Sequence, residues 1–119
     1  MKANLISDLT FKFSLKIIKL YQDLSKKNEY VISKQLLRSS TSIGANVAEA
    51  NDAFSKRDFA YKMSIAKKEA RETQYWLRLL KESSLIHKDV EPYIKDIQII
   101  IRVLTSIVKT TSENLEKNS

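Results

Sequence analysis

The 119-residue chain has no cysteine, one glycine, one proline, one histidine and one tryptophan. Without cysteine there is neither a disulfide framework nor a thiolate metal site. A single glycine and a single proline leave too few turn residues for a β architecture, and favour long uninterrupted helices. No apolar run approaches the roughly 20 residues that span a bilayer, so no membrane partner is expected. The opening residues, MKANLISDLTFKF, lack the apolar core of a signal peptide, and the expected location is the bacterial cytoplasm. Also missing are a Walker loop, a glycine-rich phosphate loop, a Cys/His metal spacing and a Ser–His–Asp set. No enzymatic activity, cofactor or metal is expected on these grounds. The lone His87, beside Lys88, fits a surface residue near a helix end.

What the chain does have is apolar periodicity and positive charge. Hydrophobic residues make up 43% of it, and its length suits one domain over residues 1–119. Lysine and arginine number 21 against 14 acidic residues, a net charge of +7. That permits a polyanionic partner without establishing one. The distribution is uneven: residues 55–88 hold nine basic and four acidic side chains, while residues 89–119 hold four and five.

Helical spacing of the apolar residues predicts four helices. The first runs from about Ser7 to Lys26, capped by Ser7 or Asp8, with Leu9, Phe13, Ile17, Leu20 and Leu24 toward the core. Lys12, Lys16, Lys19 and Asp23 form a solvated rim beside that stripe. Lys27 to Glu29 make a turn, and a second helix from Tyr30 or Val31 reaches about Asn51. Ser55 and Asp58 resemble a capping box and start a third helix, ending near Ser83. Asp89 caps the fourth, which has Pro92 in its first turn and a polar, fraying tail from about Ser112.

Two of these helices carry more apolar surface than one bundle core can use. Phe11, Leu15 and Ile18 lie roughly opposite the core stripe of the first helix. On the fourth, Ile100, Val103 and Ile107 run beside the stripe Ile94, Ile97, Ile101, Leu104, Val108 and Leu115. Both rows fit a contact with another subunit, so a homo-oligomer is expected.

The second helix contains the segment RSSTSIGANVAEA. Leu36, Ile43, Val47 and Ala50 share one face, and Arg38, Ser42, Asn46 and Glu49 share another. Nearly everything between is small, which suggests a helix enclosed by its neighbours. Its polar stripe then needs partners inside the protein. The third helix offers them: Ile65, Glu69, Glu72 and Trp76 recur at helical spacing, beside the close-packing face Phe59, Met63, Ala66, Ala70, Thr73, Leu77 and Leu80. Paired carboxylates also serve as acid–base groups or metal ligands. With no histidine near them in sequence, an interhelical pairing of Arg38 and Asn46 with Glu69 and Glu72 accounts for the same residues. Removing one partner of a buried pair of this kind costs about 3–5 kcal/mol. The remaining face of the third helix carries Arg57, Lys68, Arg71, Tyr75 and Arg78, with Lys67 at its edge. A basic row with a tyrosine in it suits a phosphate backbone with an occasional stacked base, and equally suits a solvated face.

The segments RSSTSIGANVAEA, SKRDF and KEARETQYWLRLL together resemble the signature of a bacterial four-helix-bundle family whose founding members are encoded in intervening sequences within 23S rRNA genes. Many members have Gly where this chain has Ala50, and GSxxE where it has KKEARE, so that Glu72 matches the motif's Glu and Glu69 replaces its Ser. The resemblance implies an all-α, antiparallel, up-down-up-down bundle, assembled in several members into a ring-like homopentamer. Similar proteins are accessory subunits of diversity-generating retroelements, where a basic bundle binds RNA and a reverse transcriptase. The expected function is accordingly a non-enzymatic oligomer that binds RNA through Arg57, Lys67, Lys68, Arg71, Tyr75 and Arg78. The alternative is an oligomeric scaffold that binds another protein, such as a reverse transcriptase, through its apolar surfaces.

Overall fold

The computed structural model describes residues 2–117 and contains four helices: α1 (Lys2–Lys26), α2 (Val31–Asn51), α3 (Lys56–Ser83) and α4 (Glu91–Lys117). Each packs on its neighbours in the cyclic order α1–α2–α3–α4–α1, giving an up-down-up-down four-helix bundle with extents of 52 × 23 × 22 Å.

Local signals account for the end of α1 and the starts of α2, α3 and α4. At the first turn Asn28 takes a left-handed φ of 64°, which asparagine tolerates better than most residues. The Glu29 carboxylate then accepts from the backbone N–H groups of Ile32 (3.0 Å) and Ser33 (2.8 Å), satisfying two orphan donors of α2. Ser55 caps α3 as its spacing predicts, its hydroxyl accepting from the N–H of Asp58 at 3.0 Å. The carboxylate of Asp89 accepts from the N–H of Glu91 at 3.0 Å, and Pro92 occupies the first turn of α4.

Two ends differ from expectation. Helix α1 begins at Lys2, so Ser7 and Asp8 lie within it rather than at its cap. The cause is Ile6, fully buried, which carries the core stripe one turn further back. Burial of that turn outweighs the local preference of Ser and Asp for a cap. Helix α4 likewise continues past Ser112 to Lys117, with Leu115 half-buried at the same end of the bundle, near the α2–α3 connection.

The core unites Phe13, Ile17, Leu20 and Leu24 of α1 with Leu36, Ile43 and Val47 of α2. Met63, Ala66, Ala70, Leu77 and Leu80 of α3 complete it with the isoleucines of α4. Helices α2 and α3 share the most extensive contact. There the small residues allow a buried hydroxyl pair, Ser39 Oγ to Thr73 Oγ1 at 2.8 Å. The α1–α4 seam is the slightest. Lys16 reaches across it to Asp96 (2.9 Å), and Lys88 approaches Asp23 (3.7 Å), so part of the predicted rim is an interhelical bridge.

The second apolar row on α4 is corrected by this packing. Ile100 is 1% exposed and Ile107 is 7% exposed, with Val103 partly buried, so they serve the protein's own core. A helix at one corner of a bundle faces two neighbours and buries a wide arc. At about 100° per residue, Ile100 and Ile107 lie about 60–80° from Ile97, inside that arc. Phe11, Leu15 and Ile18 lie about 100–160° from Ile17, outside it. They remain 66%, 53% and 40% exposed.

Candidate nucleic-acid interface on α3

Three structures meet around α3: a polar lattice facing α2, the core, and an outward basic stripe. The lattice follows from helical spacing on both helices. Arg38 on α2 reaches across to two carboxylates one turn apart on α3. Its Nη1 lies 3.1 Å from Glu69 Oε2, and its Nη2 is hydrogen-bonded to Glu72 Oε2. The indole of Trp76 donates to the same Glu72 oxygen at 2.9 Å. Glu72 is held below the usual carboxylate range chiefly by that indole N–H, with the Arg38 hydrogen bond adding to it against the opposing effect of burial. Arg38 is correspondingly raised, first by its hydrogen bond to Glu72.

The enclosed reading of α2 is only partly right. Ala45, Ala48 and Glu49 are exposed, and the Arg38 side chain is 51% exposed, against 15% for Glu69 and 35% for Glu72. The small residues Gly44, Ala45 and Ala48 line, with Phe11 of α1, an open groove of about 710 Å³. The polar stripe also divides. Arg38 alone meets the α3 acids, whereas Asn46 donates back to the Ser42 carbonyl (2.8 Å) and Glu49 pairs with Lys62 (3.0 Å). Pairing of Asn46 with α3, expected from the sequence, does not occur.

Partial exposure lowers the expected energetic weight of the lattice. Glu72→Gln should cost about 1 kcal/mol or less, the range of solvent-accessible pairs, rather than the cost of breaking a buried one. The sign of the pH dependence is also defined. Because the folded-state pKa of Glu72 is lowered, its contribution is present above the ordinary carboxylate range. It is lost as pH falls through the lowered folded value. Trp76, the only tryptophan, reports the change directly: its emission should shift on acidification in the parent and stay flat in the Gln variant. A variant that melts like the parent yet loses a ligand would make this lattice a binding site instead.

The outward stripe has a different character. Arg57, Lys68, Arg71 and Arg78 are exposed and Tyr75 is 55% exposed, while Lys67 is half-buried at the edge. None of these cations forms an ion pair among the described residues. Arg57 and Arg78 are separated by about 32 Å along the helix. The sequence reading missed Tyr61, 61% exposed, which sits on the same stripe at i+4 from Arg57 and seven residues before Lys68. The spacing that found Tyr75 would have found it.

Among the described residues no group of three His, Cys, Asp or Glu side chains is placed to hold a metal ion. None of their helices is long and apolar enough to cross a membrane.

Residues 2–106 match the family described as 23S rRNA-intervening sequence protein. The fold is similar to a crystal structure from Bacteroides thetaiotaomicron VPI-5482, a protein with unknown function from the S23 ribosomal protein family. The two are 45% identical with a TM-score of 0.87, over 92% of this chain and 99% of that one. No curated protein matches the chain.

Proposed function

The chain belongs to the 23S rRNA-intervening sequence protein family, and from that premise we propose that it is a non-enzymatic, oligomeric RNA-binding protein whose ligand lies along the outer face of α3. The observation that carries this reading is the division of charge on one helix. Glu69 and Glu72 are turned onto Arg38, while Arg57, Lys68, Arg71 and Arg78 stand outward without an ion-pair partner among the described residues. An outward cationic row of this length suits a phosphate backbone.

One subunit offers few phosphate contacts, too few for tight binding at physiological salt. Repetition of the stripe in an oligomer supplies avidity when the copies face one extended ligand. The exposed row Phe11, Leu15 and Ile18 beside the α1–α2 groove is the surface available for assembly, and five subunits is the number the family resemblance suggests. That same apolar surface supports a second reading, in which the oligomer is a scaffold for another protein such as a reverse transcriptase.

Light scattering coupled to gel filtration should give a mass several times the 13.7 kDa of one chain. Titration of labelled RNA at several salt concentrations should then give an affinity that falls steeply with salt through counterion release. A shallow slope favours the protein-scaffold reading, and a stable monomer at micromolar concentration removes the assembly from both.

A further inference from the structure

We propose that the α3 face holds an unpaired RNA strand, with two of its bases stacked on Tyr61 and Tyr75. The inference rests on the RNA-binding reading above and narrows its ligand from RNA in general to single-stranded RNA.

The argument begins with the exposure of two aromatic rings. Tyr61 and Tyr75 are 61% and 55% exposed, although tyrosine ordinarily buries much of its apolar body. Both belong to the cationic stripe, in the order Arg57, Tyr61, Lys68, Arg71, Tyr75, Arg78. Successive steps of three, four or seven residues keep all six on one side of the helix. Only Ser64 intervenes between Tyr61 and Lys68 on that side, and it is small.

The two tyrosines are about 21 Å apart along the axis, with Lys68 and Arg71 between them. A strand on the order of four to eight nucleotides would cover that distance, within the range occupied by single-strand binding modules. Its phosphates would meet the two central cations while bases at either end turn onto the rings. Arginine beside a stacked base adds cation–π attraction.

Tyr75 is also held in place. Its ring makes an edge-to-face contact with Trp76, with centroids 5.3 Å apart and planes at 69°. The indole is in turn fixed by its 2.9 Å hydrogen bond to Glu72, which Arg38 anchors to α2. A ring braced on a fixed neighbour loses less freedom when a base stacks on it. The polar lattice thus acts as a support for the outward face.

A duplex cannot use this arrangement. Paired bases are stacked on one another, and A-form RNA presents mainly its phosphates and 2′-hydroxyls to a protein. It would engage the cations and leave both rings without a partner. The tyrosines therefore discriminate between strand states, while the cations do not.

The test compares labelled oligo-uridine, alone and annealed to oligo-adenosine, against the parent and four variants. Tyr61→Ala and Tyr75→Ala should each weaken binding of the single strand by roughly fivefold to a hundredfold. Duplex binding and the salt slope should be unchanged. Tyr61→Phe and Tyr75→Phe, which keep the ring, should bind like the parent. Tyrosine-to-alanine variants that bind the single strand as tightly as the parent would overturn the stacking proposal and leave the RNA reading standing. So would equal losses on both probes. A parent that binds neither probe would overturn the RNA reading itself.

Discussion

Reversal of charge at Arg71 and Arg78 together is expected to abolish most RNA binding, by about a hundredfold or more near 0.1 M salt, with no loss of fold. Each arginine that bonds a phosphate makes a charge-assisted hydrogen bond, about 1.5–3 kcal/mol for a charged group. Glutamate in its place adds repulsion. Both side chains are exposed and neither is in an ion pair among the described residues, so the substitutions disturb no packed contact. Glutamate at position 71 would also stand one turn from Lys67 and Lys68, a favourable helical spacing. The salt slope should flatten too. Two lost phosphate contacts on a single strand correspond to about 1.4 in the log–log slope for each engaged subunit. The measurement is the salt titration described above, with gel filtration to establish that the variant still assembles. If it assembles and binds RNA like the parent, the ligand does not lie on the outer face of α3.

The second large effect separates core from surface among apolar residues that look alike in sequence. Ile100→Ala should destabilise the protein by about 2–5 kcal/mol, because a fully buried isoleucine leaves a cavity that the neighbouring helices close only in part. Leu15→Ser combined with Ile18→Ser should cost the isolated chain far less, since both side chains already face solvent, at 53% and 40% exposure. Their effect should instead fall on assembly, seen as a loss of mass in light scattering. Urea unfolding must be followed at several protein concentrations, because association itself adds apparent stability by mass action. The Ile100 loss should persist at every concentration, whereas the Leu15/Ile18 change should matter only where the parent associates. An Ile100→Ala protein that unfolds at the parent's midpoint would contradict the packing of α4 described here. A double serine variant that keeps the parent's mass would move the subunit contact away from α1.

Sequence and structure part at α4 for a geometric reason. Two apolar lines on one helix read in sequence as two surfaces, although a corner helix uses both against its two neighbours. Angular separation is the useful criterion. On α4, Ile100 and Ile107 lie about 60–80° from Ile97 and are buried, while Val103 of the same row, about 120° away, is only partly buried; on α1 the row about 100–160° from Ile17 stays exposed. The same geometry corrects α2. A row of small residues suggests a helix enclosed by its neighbours, yet a corner helix keeps part of its circumference in water. Gly44 occupies an intermediate position. An added Cβ there would meet Ser14 Oγ at 3.5 Å and the Thr10 carbonyl oxygen at 3.7 Å, an ordinary contact. The α1–α2 packing alone does not require glycine at this site.

What the sequence determined by itself was set by short-range physics. Helix content followed from the scarcity of breakers and the 3.6-residue apolar period. The starts of α2, α3 and α4 followed from side chains that bond backbone groups within a few residues, at Glu29, Ser55 and Asp89. The outward cationic row of α3 followed from spacing along a single helix, and so would Tyr61 have done. The tertiary structure alone decided which second faces are covered. It buried Ile100 and Ile107, left Phe11, Leu15 and Ile18 open, and extended α1 back to bury Ile6. It also gave Arg38 both Glu69 and Glu72 while returning Asn46 to its own helix. These outcomes depend on where neighbouring helices lie around each axis. Periodicity within one helix places residues on that helix, and only packing places the helix among its neighbours.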